Sequence, residues 1–248
     1  MDQKLRIDLN CDVGEGQGNE AQLFPFISSC NIACGGHAGD AASIREILRL
    51  AEQHQVKVGA HPSYPDRKNF GRISLDIKDE ALKASIKNQL SEFFTIAHEE
   101  NIQVHHIKPH GALYNDIAGN EQLAELFLTA AADYLPGCQL YAPFGSCIAE
   151  LALNSGVAVC FEAFADRNYN ENLSLVSRKL ANALITDPQT MTDHVLRMVK
   201  EKQVLTLEGS LVPIQAQTFC VHGDTPDAVS LLEKLHTFLE NEQIMIGL

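Results

Sequence analysis

The sequence predicts an α/β protein: a single (β/α) barrel domain over 1–248, seven-stranded and distorted TIM-like. Three observations carry this. Short strand-like runs alternate with helical ones, the pattern that gives parallel strands with helices outside. Seven such runs occur, enough to close a barrel. Six of the seven end in ionisable side chains, which a barrel would gather at one rim. A doubly wound open sheet shares the alternation, so periodicity alone leaves it as the rival.

The strand runs are LRIDLN at 5–10, SCNIAC at 29–34, VKVGAH at 56–61, VHHIKP at 104–109, CQLYAP at 138–143, VAVCFEAF at 157–164 and QTFCVHG at 217–223. Between them, apolar residues recur at helical spacing. Ile44, Ile47, Leu48 and Ala51 form one face, and Leu82, Ile86, Leu90, Phe93 and Ala97 a second. Leu123, Leu126, Phe127 and Ala130 form a third, and Ala228, Leu231, Leu232, Leu235 and Leu239 the last. Asp40, Asp79, Asn120, Asp187 and Thr225 stand where N-caps belong. Two stretches break the alternation. Residues 162–186 read as a long lid-like loop, and 204–217 as a hairpin around Glu208 and Gly209.

Composition narrows the function. The chain is 45% hydrophobic, enough for a sizeable core. Its net charge of −13 and lack of any Lys/Arg cluster argue against nucleic acid as a partner. No run of 18 apolar residues and no apolar leader occur, so no membrane partner is expected and the expected location is the cytoplasm. The seven cysteines form no CxxC pair and mostly lie in apolar stretches, which reads as buried reduced thiols. Cys34 is the best candidate for a reactive one. Gly14, Gly16 and Gly18 lack the GxGxxG spacing and read as a backbone turn.

The strand ends carry the chemistry. Asn10, Asp12 and Glu15 follow the first run, and His37 and Asp40 the second. His61 follows the third, and Lys108 and His110 the fourth. Glu162, Asp166 and Arg167 follow the sixth, and His222 and Asp224 the seventh. Each has a plain structural reading as well: Asp40 can be a cap, and Asp224 before Thr225-Pro226 can be turn chemistry. The functional reading is cumulative. An ion held by Asp12, His37 and His61 suits the donor chemistry, and the same groups can act as acids and bases without one. His106 and His110 are too far apart on an extended strand, about 13 Å, to share an ion. His54, His98, His194 and His236 fall in helical stretches and are expected at the surface.

Seven blocks, IDLNCDVGEG, NIACGGHAGD, VGAHPSYPD, FGR, HIKPHGALYN, EAFADRNY and CVHGDTP, resemble the LamB/YcsF family in kind and order, from Leu5 to about Leu239. The chain departs from the family pattern at Ile73, Asn170-Glu171-Asn172 and Lys179-Leu180-Ala181-Asn182, all in loops. The resemblance implies a barrel related to polysaccharide deacetylases. It implies the A component of an ATP-dependent 5-oxoprolinase, which opens the lactam of 5-oxoproline to L-glutamate together with subunits B and C. ATP, with Mg as its divalent cation or a separate site metal, is then the expected cofactor. No Walker A loop is present, so nucleotide binds in another kind of pocket or on a partner. On this reading Lys108, His110, Asp12, Glu15 and His61 are catalytic, with Lys108 set against developing negative charge and His110 moving protons. Asn10, His37, Glu162 and His222 line the substrate site, and Arg167 takes the substrate carboxylate, with Arg72 and Arg178 as competitors. Two alternatives share the same residues: a metal-dependent de-N-acetylase, and a non-catalytic subunit that presents the lactam to its partners.

Overall fold

The computed structural model describes residues 5–247. Seven parallel strands close on themselves: β1 (Arg6–Val13), β2 (Ser29–Ala33), β3 (Lys57–His61), β4 (Val104–Ile107), β5 (Gln139–Pro143), β6 (Val159–Phe164) and β9 (Thr218–Cys220), with β9 paired to both β6 and β1. The expected barrel is therefore present and the open sheet is excluded. The hairpin β7 (Gln203–Leu205) and β8 (Leu211–Pro213) pairs antiparallel around the Glu208-Gly209 turn, as its sequence predicts. A two-residue strand, β10 (Met245–Ile246), pairs with Arg6 and Ile7. It is too short to give a periodic signal.

Among the described residues, eight α-helices surround the strands: α1 (Glu20–Leu23), α2 (Ala41–His54), α3 (Asp79–Glu99), α4 (Gly111–Gly119), α5 (Glu121–Ala131), α6 (Cys147–Asn154), α7 (Pro188–Lys200) and α8 (Ala228–Asn241). The four apolar faces read from the sequence belong to α2, α3, α5 and α8. Their residues pack into one core with the outward side chains of the strands, such as Leu9, Ile32 and Val58. Each fully buried aliphatic side chain there contributes roughly 1.5–3 kcal/mol.

Asp40, Asn120 and Asp187 cap their helices through side-chain oxygens, Asp40 in a reciprocal box with Ser43. Two expected caps do not. Lys78 precedes α3, so Asp79 falls in its first turn, favoured there by the helix dipole. Thr225 lies ahead of the α8 cap residue Asp227 and gives its hydroxyl to Asp166 at 2.6 Å instead. His194 is also misplaced by its helical pattern. It is 6% exposed, stacked on Tyr169, and burial drops its pKa to about 4.

The inside of the barrel is polar. Successive inward positions two residues apart on β1 stack three layers. At the bottom, Asp8 accepts from Ser29 (2.7 Å), Thr218 (2.5 Å) and Tyr141 (3.3 Å). In the middle, Asn10 donates to Glu162 (2.8 Å) and Thr218 (2.7 Å) and accepts from Asn31 (2.7 Å). The top layer is Asp12 with Lys108 and His61. His106 fills the centre, donating to Asn31 at 2.7 Å and stacked on Tyr141. It needs Gly59 opposite, because a Cβ there would fall 2.2 Å from the imidazole.

Candidate active site at the carboxyl rim

The VHHIKPHG segment forms the centre of the site. β4 ends at Ile107, yet the Lys108 and His110 amides still donate to Ala60 and Pro62 on the neighbouring strand and its extension, at 2.9 and 2.8 Å. Extended backbone alternates its side chains, but the turn begins here. Lys108 points into the barrel, and His110 points to the rim. Pro109, lacking an N–H, sits between them. Gly111 then adopts φ +58°, with its missing Cβ directed at the Gly71 carbonyl 2.6 Å away. Gly111→Ala is expected to cost about 1–2 kcal/mol in backbone strain alone, and more from that contact. An unchanged calorimetric Tm would show that the turn does not need glycine.

Lys108 is 2% exposed. Its ammonium lies 2.9 Å from Glu162 Oε1 and 3.0 Å from Asp12 Oδ1, and donates more weakly to Asn10 Oδ1 at 3.4 Å. Phe164 lies beneath the charge at 5.2 Å. Burial favours the neutral amine, but Asp12 and Glu162 outweigh it and hold the lysine pKa well above its ordinary value. Asp12 responds in kind. Burial opposes its charge, yet His61 and Lys108 pull the carboxyl well below the usual range. Cys220 Sγ also touches the ammonium at 3.1 Å, but burial and Asp12 raise its pKa, so it stays a thiol.

Above this ion cluster lies a second group. Asp12 Oδ2 is 3.4 Å from His61 Nε2, which is 2.9 Å from His110 Nδ1. Glu15 Oε1 is 2.9 Å from His37 Nε2 and 3.3 Å from His110 Nδ1. The His37 and His110 rings stack face to face at 3.6 Å. Burial and the neighbouring Asp12 charge raise the Glu15 pKa to about 7, so its charge is poised at neutral pH. Burial keeps His37 and His110 neutral over the ordinary range.

All five residues read as catalytic from the sequence therefore meet at one rim. They adjoin a cleft of about 390 Å³ whose wall includes Arg72, Arg167, Arg178 and His222. The segment after β6 borders it, with Leu175 to Lys179 lining the opening. His222 is oriented by Asp166, which accepts from the ring and from the His222 backbone N–H, all at 3.0 Å.

The arginines divide their tasks. Arg167 gives its guanidinium to the carbonyls of Val176 (2.6 Å) and Ala183 (3.3 Å), tying the segment after β6 to the barrel. Arg72 pairs with Asp224 at 2.6 Å and stacks over Phe70. Arg178 is the least committed, 3.9 Å from Asp224. The Arg167 guanidinium is thus already engaged by backbone carbonyls.

Cys34 faces Ile32 O and the His61 backbone N–H, and burial pushes its pKa up, so it packs as an inert thiol. All seven cysteines are free. Sequence reading missed Asn31, which bridges Asn10 and Asp12, and Tyr114, whose buried hydroxyl lines the cleft without a hydrogen-bond partner. Strand alternation, with Asn31 two residues after Ser29, was the available signal for the first. No signal pointed to Tyr114.

A closed parallel barrel with a buried lysine–carboxylate cluster beneath imidazoles and a glutamate at its carboxyl rim defines the class of protein: a barrel with an enzyme-like polar site. The chain belongs to the LamB/YcsF family, whose pattern it matches over residues 7–247. It is 42% identical over 245 residues to the A component of 5-oxoprolinase from Shouchella clausii (strain KSM-K16), covering 97% of each chain. It is 40% identical over 247 residues to the same component from Staphylococcus aureus (strain MRSA252), covering 98% of this chain and 99% of that one. Its fold superposes on the crystal structure of a lactam utilization protein from Thermus thermophilus with TM-score 0.91 and 34% identity, over 98% of this chain and 99% of that one. A family 4 carbohydrate esterase from Streptomyces lividans shares the barrel alone, at TM-score 0.52 and 11% identity over 98% of this chain and 92% of that one. Among the described residues, no helix is long and apolar enough to cross a membrane.

Proposed function

We propose that this chain opens the lactam of 5-oxoproline to L-glutamate in an ATP-coupled reaction, working with two partners, subunits B and C. The observation that carries this reading is the Lys108 ammonium, fixed at one rim beside acids and imidazoles and facing a cleft with arginines on its wall. The names of its relatives, a 5-oxoprolinase component and a lactam utilization protein, point the same way.

A lactam carbonyl is a weak electrophile, and its five-membered ring recloses readily. ATP answers both difficulties. The γ-phosphoryl group passes to the lactam oxygen and ADP leaves. Water adds to the activated carbon, the C–N bond breaks as the nitrogen takes a proton, and a second water releases phosphate from the acyl phosphate. Lys108 faces the charge that grows on the lactam or phosphoryl oxygen, and its two carboxylates hold it there before substrate arrives. Asp12, ionised and lining the cleft, takes a proton from the attacking water. Arg178 meets the substrate carboxylate.

The test is a reconstitution with the partner subunits, with glutamate release followed against 5-oxoproline and ATP. Release must require both this chain and ATP. Ring opening that runs without ATP, or turnover of N-acetyl sugars in its place, would favour the de-N-acetylase alternative. In the same assay Arg178→Gln is expected to raise KM for 5-oxoproline about 10- to 100-fold with little change in kcat, the cost of a lost charge-assisted hydrogen bond. An unchanged KM would remove Arg178 from carboxylate recognition.

A further inference from the structure

We propose that Glu15, His61 and His110 form a binding site for a divalent transition-metal ion of the zinc or cobalt class, with Asp12 at its edge and His37 holding Glu15 in place. Backbone carbonyls fix where two of the ring hydrogens lie. His61 Nδ1 is 2.7 Å from the Lys108 carbonyl oxygen. A carbonyl only accepts, so Nδ1 carries a hydrogen, and Nε2 is the nitrogen left to offer a lone pair once its own proton is displaced. His110 Nε2 is 3.0 Å from the Phe70 carbonyl oxygen, so by the same reasoning its Nδ1 keeps a lone pair. Those two lone pairs face each other across 2.9 Å. Two acceptors so placed repel unless a proton is shared between them or a metal ion lies beside both.

Other acceptors converge on the same point. Glu15 Oε1 is 3.3 Å from His110 Nδ1 and 4.0 Å from His61 Nε2, and Asp12 Oδ2 is 3.4 Å from His61 Nε2. With metal–ligand bonds of about 2.0–2.1 Å, donors at right angles stand about 2.9 Å apart and tetrahedral donors about 3.4 Å apart. One donor atom each from Glu15, His37, His61 and His110 lies within 4.8 Å of all the others. The carbonyl anchors at Lys108 and Phe70 are the kind of outer contact that fixes the tautomer of a ligating imidazole.

His37 takes a different part. Its Nε2 lies 2.9 Å from Glu15 Oε1, and its buried Nδ1 has no partner. As a donor to Glu15 it leaves only an acceptor unpaired. As a ligand through Nε2 it would leave a buried N–H unpaired, the costlier outcome. The donor set expected from the sequence, Asp12, His37 and His61, is thereby revised: Glu15 and His110 enter, and His37 becomes a positioning residue. When bound, such an ion polarises an oxygen or activates a water.

The experiment uses the full chain, stripped with a chelator and dialysed against Co²⁺ or Zn²⁺. Stoichiometry is read by elemental analysis, and the Co²⁺ environment by visible absorption. Wild type is expected to bind a single ion with Co²⁺ bands of nitrogen and oxygen ligation. The His61→Ala/His110→Ala variant is expected to bind less than about a tenth as much at the same free metal. Glu15→Gln, nearly isosteric, gives the same test if the double variant fails to fold, with affinity at least about tenfold weaker. His37→Ala is expected to weaken affinity about 10- to 100-fold without changing the ligand bands. A wild type that binds no ion would mean that a shared proton sits between the two rings and would overturn the proposal. So would Glu15→Gln binding as tightly as wild type. Because loading is read without lactam or nucleotide, metal binding without ring opening sinks only the functional reading, and ring opening without metal binding sinks only this one.

Discussion

Lys108→Met is expected to abolish glutamate release and to weaken the fold at the same time. The activity loss follows from removing a fixed cation aimed at developing charge, about 10²- to 10³-fold for one such donor. The stability loss follows from what remains. Asp12 and Glu162 would be left buried without their shared partner, a change that costs about 3–5 kcal/mol when one member of a buried pair is removed. A compensated variant separates the two effects. Lys108→Met combined with Glu162→Gln takes away one stranded charge and should recover part of the lost Tm. It should recover none of the activity. If Lys108→Met keeps more than half of the wild-type rate, Lys108 has no part in the chemistry.

Asp12→Asn should behave differently. The asparagine can still accept from Lys108 and Asn31, and Lys108 keeps Glu162 at 2.9 Å, so no charge is stranded. The fold should survive with Tm nearly unchanged. Turnover should fall by about 10²-fold or more, because the amide cannot take a proton and no longer supports the lysine charge. The diagnostic result is a fall in kcat and kcat/KM together, the mark of an interaction made in the transition state. Normal turnover would rule out an essential negative charge at this position.

These two residues also show how far the sequence could be read. The seven strands and four of the helix faces were legible because alternation and helical spacing are local. So was the gathering of Asp12, Glu15, His61, Lys108 and His110, since barrel closure brings strand ends together whatever the loops do. The helix α4 was not legible, because it starts abruptly at Gly111, and its short apolar run ALYNDIA follows a Pro-His-Gly turn that hides the start. The buried state of His194 was not legible either. It depends on Tyr169 in the segment after β6, contributed by a distant part of the chain. The division of labour among Arg72, Arg167 and Arg178 rested on carbonyls and carboxylates that only the folded chain supplies. The tautomers of His61 and His110 were likewise set by backbone oxygens, which no side-chain motif records.

The layered polar column inside the barrel has a consequence for evolutionary drift. Thr218 at its foot donates to Asp8 and receives from Asn10, which in turn meets Glu162 and, through it, Lys108. A descendant of this chain that lost its catalytic task would still need those residues to stand upright. The survival of Thr218, Asp8 and Asn10 in such a copy would testify to architecture, and only Lys108 with the carboxylates and imidazoles at the mouth would bear witness to the chemistry.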